Sequence, residues 1–323
     1  MRIFSRVYLK KIWKILVATF TGFVDDNGLK LSASLAYYTM FSLAPLLILI
    51  ISLADFFFHS DAETNRIYPQ IAQYVGPAAA LQIQDMLKSL ALSGKTGISV
   101  IIGAITLLVG ASSMFIDIQE SLNIIWRVKA KPKKGWVKLL ENRFLSFSLI
   151  ISLGFLLLVS LVINIVMTAL SERITHFFPA VTELLLKGIN LGITLIVISV
   201  LFGIIFKFLP DVKIKWRDVR SGAIFTALLF MLGQYVIGLY IQYAAHSSTY
   251  GAAGSIIVIL LWIYYTACIL YIGAEFTQVY AEAIGSRIEP AEYAVSVRQT
   301  EVEAVVKTLP AQNPQLKGQL KQE

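Results

Sequence analysis

The sequence predicts an all-α fold, a polytopic membrane bundle of six transmembrane helices, and three observations carry that prediction. Hydrophobic residues make up 57% of the 323 and charged residues only 15%, against roughly 25% charged in an average soluble domain. The apolar residues fall in continuous runs near 36–57, 97–116, 144–169, 188–209, 221–244 and 254–274, each near the ~20 helical residues that a hydrocarbon core requires. Lys and Arg alternate from side to side along those runs. Continuous rather than alternating hydrophobicity argues against a membrane β-barrel, and backbone groups in lipid then leave the helix as the spanning element.

Residues 1–30 precede the first run and read as a cytoplasmic, interfacial amphipathic helix. Tyr8, Ile12, Leu16 and Phe20 share one face, while Lys10, Lys11 and Lys14 can reach headgroups. Lys14 interrupts the apolar centre, and no small-residue cleavage site follows, so a secretory signal is a poor reading. The six-helix domain then occupies 31–284. After the first span, Asp61 to Gly94 reads as an outer-side amphipathic helical hairpin broken at Gly76 and Pro77. It forms either a docking surface over the outer mouth or a hairpin resting on the membrane. The basic stretch 117–143 joins spans two and three. Spans five and six are joined by so short a link that they must be antiparallel neighbours, and small residues from Gly251 to Ser255 favour close approach. Residues 285–323 are polar, carry three prolines and read as a flexible cytoplasmic tail.

The charge count gives an orientation. Of 28 Lys and Arg residues, 23 lie before span one, between spans two and three, between four and five, and after six. The positive-inside rule makes both termini cytoplasmic. The net charge of +8 then reflects topology and attraction to anionic lipid rather than nucleic-acid binding.

Two sets of polar residues stand out as functional candidates. The first half of span one brings in hydroxyls, with Ser34, Tyr38 and Ser42 at steps of four, and Pro45 removes a backbone donor and kinks the helix. In span six, Tyr264, Tyr271, Glu275 and Gln278 fall on one stripe, and span five adds Gln234 and Tyr240. Together they could line a polar route through the bundle. A packing seam of hydroxyl hydrogen bonds is the plainer reading. Glu275 sits about 31 Å along its helix, near the cytoplasmic edge, where it either meets a partner or is solvated. The second set is a headgroup-level patch: Asn123, Trp126, Arg127, Lys133, Lys134 and Trp136. It serves as an interface anchor or as a site for an anionic lipid headgroup.

Other chemistry leaves no trace in the sequence. Cys268 is alone, which excludes a disulfide framework and a cysteine metal site. His59, His176 and His246 lie on separate connections. Phosphate loops, H-E-x-x-H and G-x-S-x-G are absent, so neither a cofactor nor a metal is expected.

Three pieces of the chain resemble the YihY/BrkB family of bacterial inner-membrane proteins: "ASLAYYTMFSLAPLL" from Ala33, "SLNIIWRV" from Ser121 and "YGAAGSIIVILLWIYYTACILYIGAEF" from Tyr250. The likeness runs from about residue 15 to 285, with all six spans in step. It implies a multi-pass protein of the bacterial inner membrane whose biochemical role is open. The family has carried an old ribonuclease BN label, which the sequence does not support, since no acidic metal cluster, Cys/His set or soluble RNA-holding domain is evident. The expectation is a non-enzymatic transporter of lipid or another amphiphile or small solute, without its own ATPase. The alternative is an envelope scaffold docking a protein partner through the 61–94 hairpin or the 117–143 loop. Membrane lipids are the expected partners, with no nucleic acid.

The topology is directly testable. A reporter active only in the cytoplasm, fused after Arg287, should be active, and the same reporter inserted near Gly94 should be silent. The reverse pattern would overturn the orientation.

Overall fold

The computed structural model describes residues 6–42, 97–131, 179–244 and 251–298. Six helices lie among them: α1 (Arg6–Asp25), α2 (28–42), α3 (Gly97–Ile125), α4 (Pro179–Phe208), α5 (Trp216–Ala244) and α6 (Gly251–Ala283). Helix ends follow local chemistry. Pro179 opens α4, where its missing N–H costs nothing, and Pro210 follows that helix's end. Asp218 stands in the first turn of α5, on the favourable side of the helix dipole. Beyond α1, α3 and α6 the chain turns through Asn27, Arg127 and Arg287, each in the left-handed region with φ between 55° and 58°.

Three helical stretches among the described residues are long and apolar enough to cross a membrane: Gly188–Phe208, Trp216–Val236 and Leu260–Ala283. Ile224, Leu228, Leu232 and Val236 lie exposed along one line of α5, and Ile196 and Val200 along α4. An apolar face of that size is the surface that lipid covers. The third predicted span, 144–169, and the outer hairpin, 61–94, lie outside the described residues, as does the first span beyond residue 42.

Helix α6 is the centre of the bundle. It packs against α1, α3 and α5, and α4 packs on the far side of α5. Half of its Leu260–Ala283 stretch is buried. The α5–α6 contact is a reciprocal lock. Thr226 donates to the Gly222 carbonyl at 2.7 Å and Thr277 to the Gly273 carbonyl at 2.7 Å. Each threonine then lies where a Cβ on the other helix's glycine would stand. Backbone thus meets side chain at two levels of an antiparallel pair, and Phe225 stacks on Phe276 at 4.0 Å beside them.

Helix α1 does more than lie at an interface: it buries Ile15, Thr19 and Phe23 in the bundle. A second apolar line of Trp13, Val17, Phe20 and Val24 stays exposed. The reason is that α1 packs on α6 and so needs an inward face of its own. The tail is also not loose throughout. Strand β1 (Val128–Ala130) pairs antiparallel with β4 (Ala294–Ser296), and β2 (Val212–Lys213) pairs with β3 (Glu289–Pro290). The chain after α6 therefore returns across the ends of α3 and α4 and ties them together. Residues 299–323 lie outside the described part.

Gly222→Val should force Thr277 out of its seat and destabilise the bundle by about 1–3 kcal/mol, as overpacking does. Thermal unfolding of the detergent-solubilised protein reads this out. An unchanged unfolding temperature would show that the α5–α6 lock contributes little.

Candidate functional site

The site is built where α1 turns into α2, α3 ends and α6 passes. Glu275 lies one turn past Tyr271 on α6, and only 2% of it is exposed. It reaches α1 because residue 22 is glycine: a Cβ there would stand 2.8 Å from Glu275 Oε2. One turn further along, Asp26 follows the end of α1, also buried at 6% exposure; its N–H bonds the Gly22 carbonyl at 2.9 Å, which brings its carboxyl to the Glu275 side of α1. Arg127 closes the group, its guanidinium 2.5 Å from Asp26 Oδ1. The left-handed backbone at Arg127, unusual for a long side chain, follows α3 directly and sets where its guanidinium departs. Its neighbour Trp126 is buried and donates to the Ala274 carbonyl at 3.0 Å, which pins the end of α3 to α6 at the level of Glu275. Burial raises the Asp26 carboxyl above its ordinary value, against the opposing pull of the Arg127 charge.

A second line of polar groups crosses from α6 to α2 through α3. Tyr271 is fully buried on α6 beside Ser121 and Asp117 of α3. Ser34 of α2 donates to Asp117 Oδ1 at 2.7 Å. Around the corner, Asp211 is held by a two-way clamp. Asn123 Nδ2 donates to its Oδ2 at 2.8 Å, the Asp211 backbone N–H donates to Asn123 Oδ1 at 2.9 Å, and Gln119 Nε2 adds a bond at 3.2 Å. A cavity of about 480 Å³ opens along this face of α3, walled by Ile116, Asn123, Ile124, Arg127, Lys129, Asp211 and Val297. Its size suits a small molecule or part of a lipid. Arg127 stands in the wall between the cavity and the carboxyl pair.

Residues 19–296 match the family described as Virulence factor BrkB. The chain belongs to this family. It is 26% identical to a ribonuclease-like protein, YfkH, of Bacillus subtilis (strain 168), over 79% of this chain and 91% of that protein. A UPF0761 membrane protein of Pseudomonas aeruginosa (strain LESB58) is 30% identical over 78% of this chain but only 59% of its own length. One from Stenotrophomonas maltophilia (strain K279a) is 27% identical over 84% and 61%. The chain thus spans about three fifths of those two UPF0761 relatives. No solved structure matches. As a BrkB-family chain with apolar spanning helices, it is a membrane protein.

The predicted residues of this BrkB-family chain divide sharply. Tyr271 and Glu275 are buried in the bundle, so Glu275 is not a solvated edge group. Gln278 and Tyr264 on the same helix are half-buried. Ser34 bonds α3 rather than the α6 stripe. Ser42 is buried but donates to its own helix at Thr39. Tyr38 and Gln234 are exposed: the step of four places residues on one face but does not say what that face meets. Pro45 and the Tyr240 side chain lie outside the described part. Of the headgroup set, Asn123 and Arg127 line the cavity and Trp126 is a buried strut. Lys133, Lys134 and Trp136 lie outside the described residues. Asp26, Asp117, Ser121 and Asp211 were not singled out. Asp26 and Asp211 stand beside turns, and Asp117 and Ser121 lie within α3; none of these positions marks a site by itself.

Because the folded protein raises the Asp26 carboxyl, it takes up that proton more readily than the unfolded chain does. The resulting stability is present in full below the ordinary Asp value of 3.8 and is lost as pH rises through the raised value. The unfolding temperature in detergent should therefore fall from mildly acid to neutral pH, and Asp26→Asn should flatten that slope. An equal slope in the variant would assign the effect to other groups.

Proposed function

We propose that the protein is a transporter of lipid or another amphiphile or small solute across the bacterial inner membrane, working without an ATPase of its own and without enzymatic chemistry. One observation supports this above the others. A buried carboxyl pair stands behind Arg127, which lines an open cavity whose wall mixes apolar groups such as Ile116, Ile124 and Val297 with the charged Arg127, Lys129, Glu120 and Asp211. Burying ionisable groups in a membrane bundle costs several kcal/mol unless they are paired or hydrated, and a purely structural bundle would do better with apolar side chains. Amphiphiles need both kinds of wall. The lipid-facing exposure of α4 and α5 and the basic groups at one end of the bundle fit a substrate that comes from the membrane itself.

The ribonuclease-like description belongs to YfkH, and it is not adopted for this chain. On the proposed reading, the conversion of bound substrate to a released one is a movement, with Glu275 exchanging partners as the cavity opens and closes.

The purified full chain in liposomes with a headgroup-labelled phospholipid should expose inner-leaflet label to an impermeant quencher faster than empty liposomes do. Glu275→Gln should slow this about tenfold, the effect of 1.4 kcal/mol, while still inserting. If wild type and empty liposomes behave alike, unaided lipid transport is overturned. A scaffold would tolerate Glu275→Gln and fail instead when the 61–94 segment is shortened.

A further inference from the structure

We propose that Asp26 and Glu275 form a proton-binding site, one proton held between two carboxyl groups, and that transport is coupled to its exchange. The site stands on its own geometry, and the coupling rests on the transport reading above.

Both residues are more than nine-tenths buried. The Asp26 N–H bonds the Gly22 carbonyl at 2.9 Å, and the Glu275 carboxyl lies against that same glycine, so the two carboxyls meet at one turn of α1. Arg127 is paired with Asp26 Oδ1 at 2.5 Å, while Glu275 Oε1 has no hydrogen-bond partner among the described residues, so the cation serves the Asp26 side of the pair. The charged groups that face it are few. Helix α1 brings Asp25, the α1–α2 turn Asp26 itself, the end of α3 Arg127, and α6 Glu275. With both carboxyls ionised, Arg127 alone would face them and Asp25, and Arg127 is 38% exposed, where water screens it. Two like charges in contact at a desolvated site do not both ionise. A shared proton removes that excess. Gly22 is the residue that permits it, because any larger side chain would hold Glu275 away from Asp26.

Arg127 then gives the proton a use. Its positive charge lowers the proton affinity of Asp26, and it also lines the cavity. An anionic headgroup in the cavity draws on the same guanidinium. To the extent that it does, Asp26 holds its proton more tightly, and by reciprocity the proton strengthens headgroup binding. Substrate and proton therefore bind together and leave together.

The test is infrared spectroscopy of the full-length protein in lipid at neutral pH. The difference between wild type and Asp26→Asn/Glu275→Gln should show one protonated-carboxyl band, and ¹³C-labelled glutamate or aspartate should shift it in unsubstituted protein, which removes dependence on the variant's folding. Absence of that band in the labelled wild type would mean both groups are ionised and would overturn the site. In proteoliposomes with an entrapped pH dye, movement of labelled phospholipid should carry protons with it. Lipid movement without proton uptake would overturn the coupling. A band without any lipid movement would leave the site standing and count against the transport reading.

Discussion

A carboxyl group in the middle of a helical bundle must be answered, and the end of this bundle is arranged around the answer to Glu275. Its side chain leaves α6 toward α1 because Gly22 presents no side chain there. Asp26 meets it from the α1–α2 turn, and Arg127 meets Asp26 from beyond α3. Three chain segments far apart in sequence are therefore fixed by one desolvated group. Replacing any of them with an apolar residue would leave a buried polar group unpaired, which costs more than the net gain from making the bond in the first place.

The outer layer of that end follows from the same requirement. Arg127 can hold its left-handed backbone only if both sides of it are tied. On one side Trp126 bonds the Ala274 carbonyl, and on the other the Val297 N–H bonds the Arg127 carbonyl at 2.8 Å. The β1–β4 ladder continues from there, and Ala291 bonds the Asp211 carbonyl at 3.0 Å. Asp218 in turn accepts from the Ser286 N–H at 3.1 Å, closing the end of α6 with the start of α5. The segment after α6 thus holds the cavity wall in place. Its proline and polar composition gave no hint of this, because strands of two or three residues leave no periodicity to read.

How much of the molecule was legible in the sequence depends on the range of the interaction involved. The apolar stretches in α4, α5 and α6 stood out because hydrocarbon imposes a length and a composition that need no knowledge of neighbours. Glu275 and Tyr271 stood out because a polar stripe on an apolar helix contradicts its surroundings. Asp26 did not, because "DDNG" after a helix is what any turn contains, and only the approach of α6 makes it a site. Asp117 did not, for the same reason: it opens the stretch 117–143, and only Ser34 of α2 makes it a contact. Tyr38 and Gln234 fell on plausible faces but ended exposed, since helical spacing fixes relative direction on one helix and leaves open which neighbour that direction meets.

The packing also bears on where a transporting protein of this fold would give way. Helices α5 and α6 are interlocked by backbone-deep Gly–Thr contacts at two levels, with Phe225 stacked on Phe276 alongside. Separating them would open voids that neither lipid nor water fills well. Contacts of α6 with α1 and α3 share the apolar core, through Phe23, Leu122, Ile125 and Leu270, but add polar ones at the Glu275 end: two buried carboxyls, an indole on a carbonyl and a tyrosine near a serine. Polar pairs in membrane bundles are worth little more than their exchange partners, on average about 0.6 kcal/mol, and water or a headgroup can replace them. On the transport reading, the Glu275 end of the seam between α6 and the α1–α3 side, which carries both the carboxyl pair and the arginine that borders the cavity, is where exchange of partners costs least.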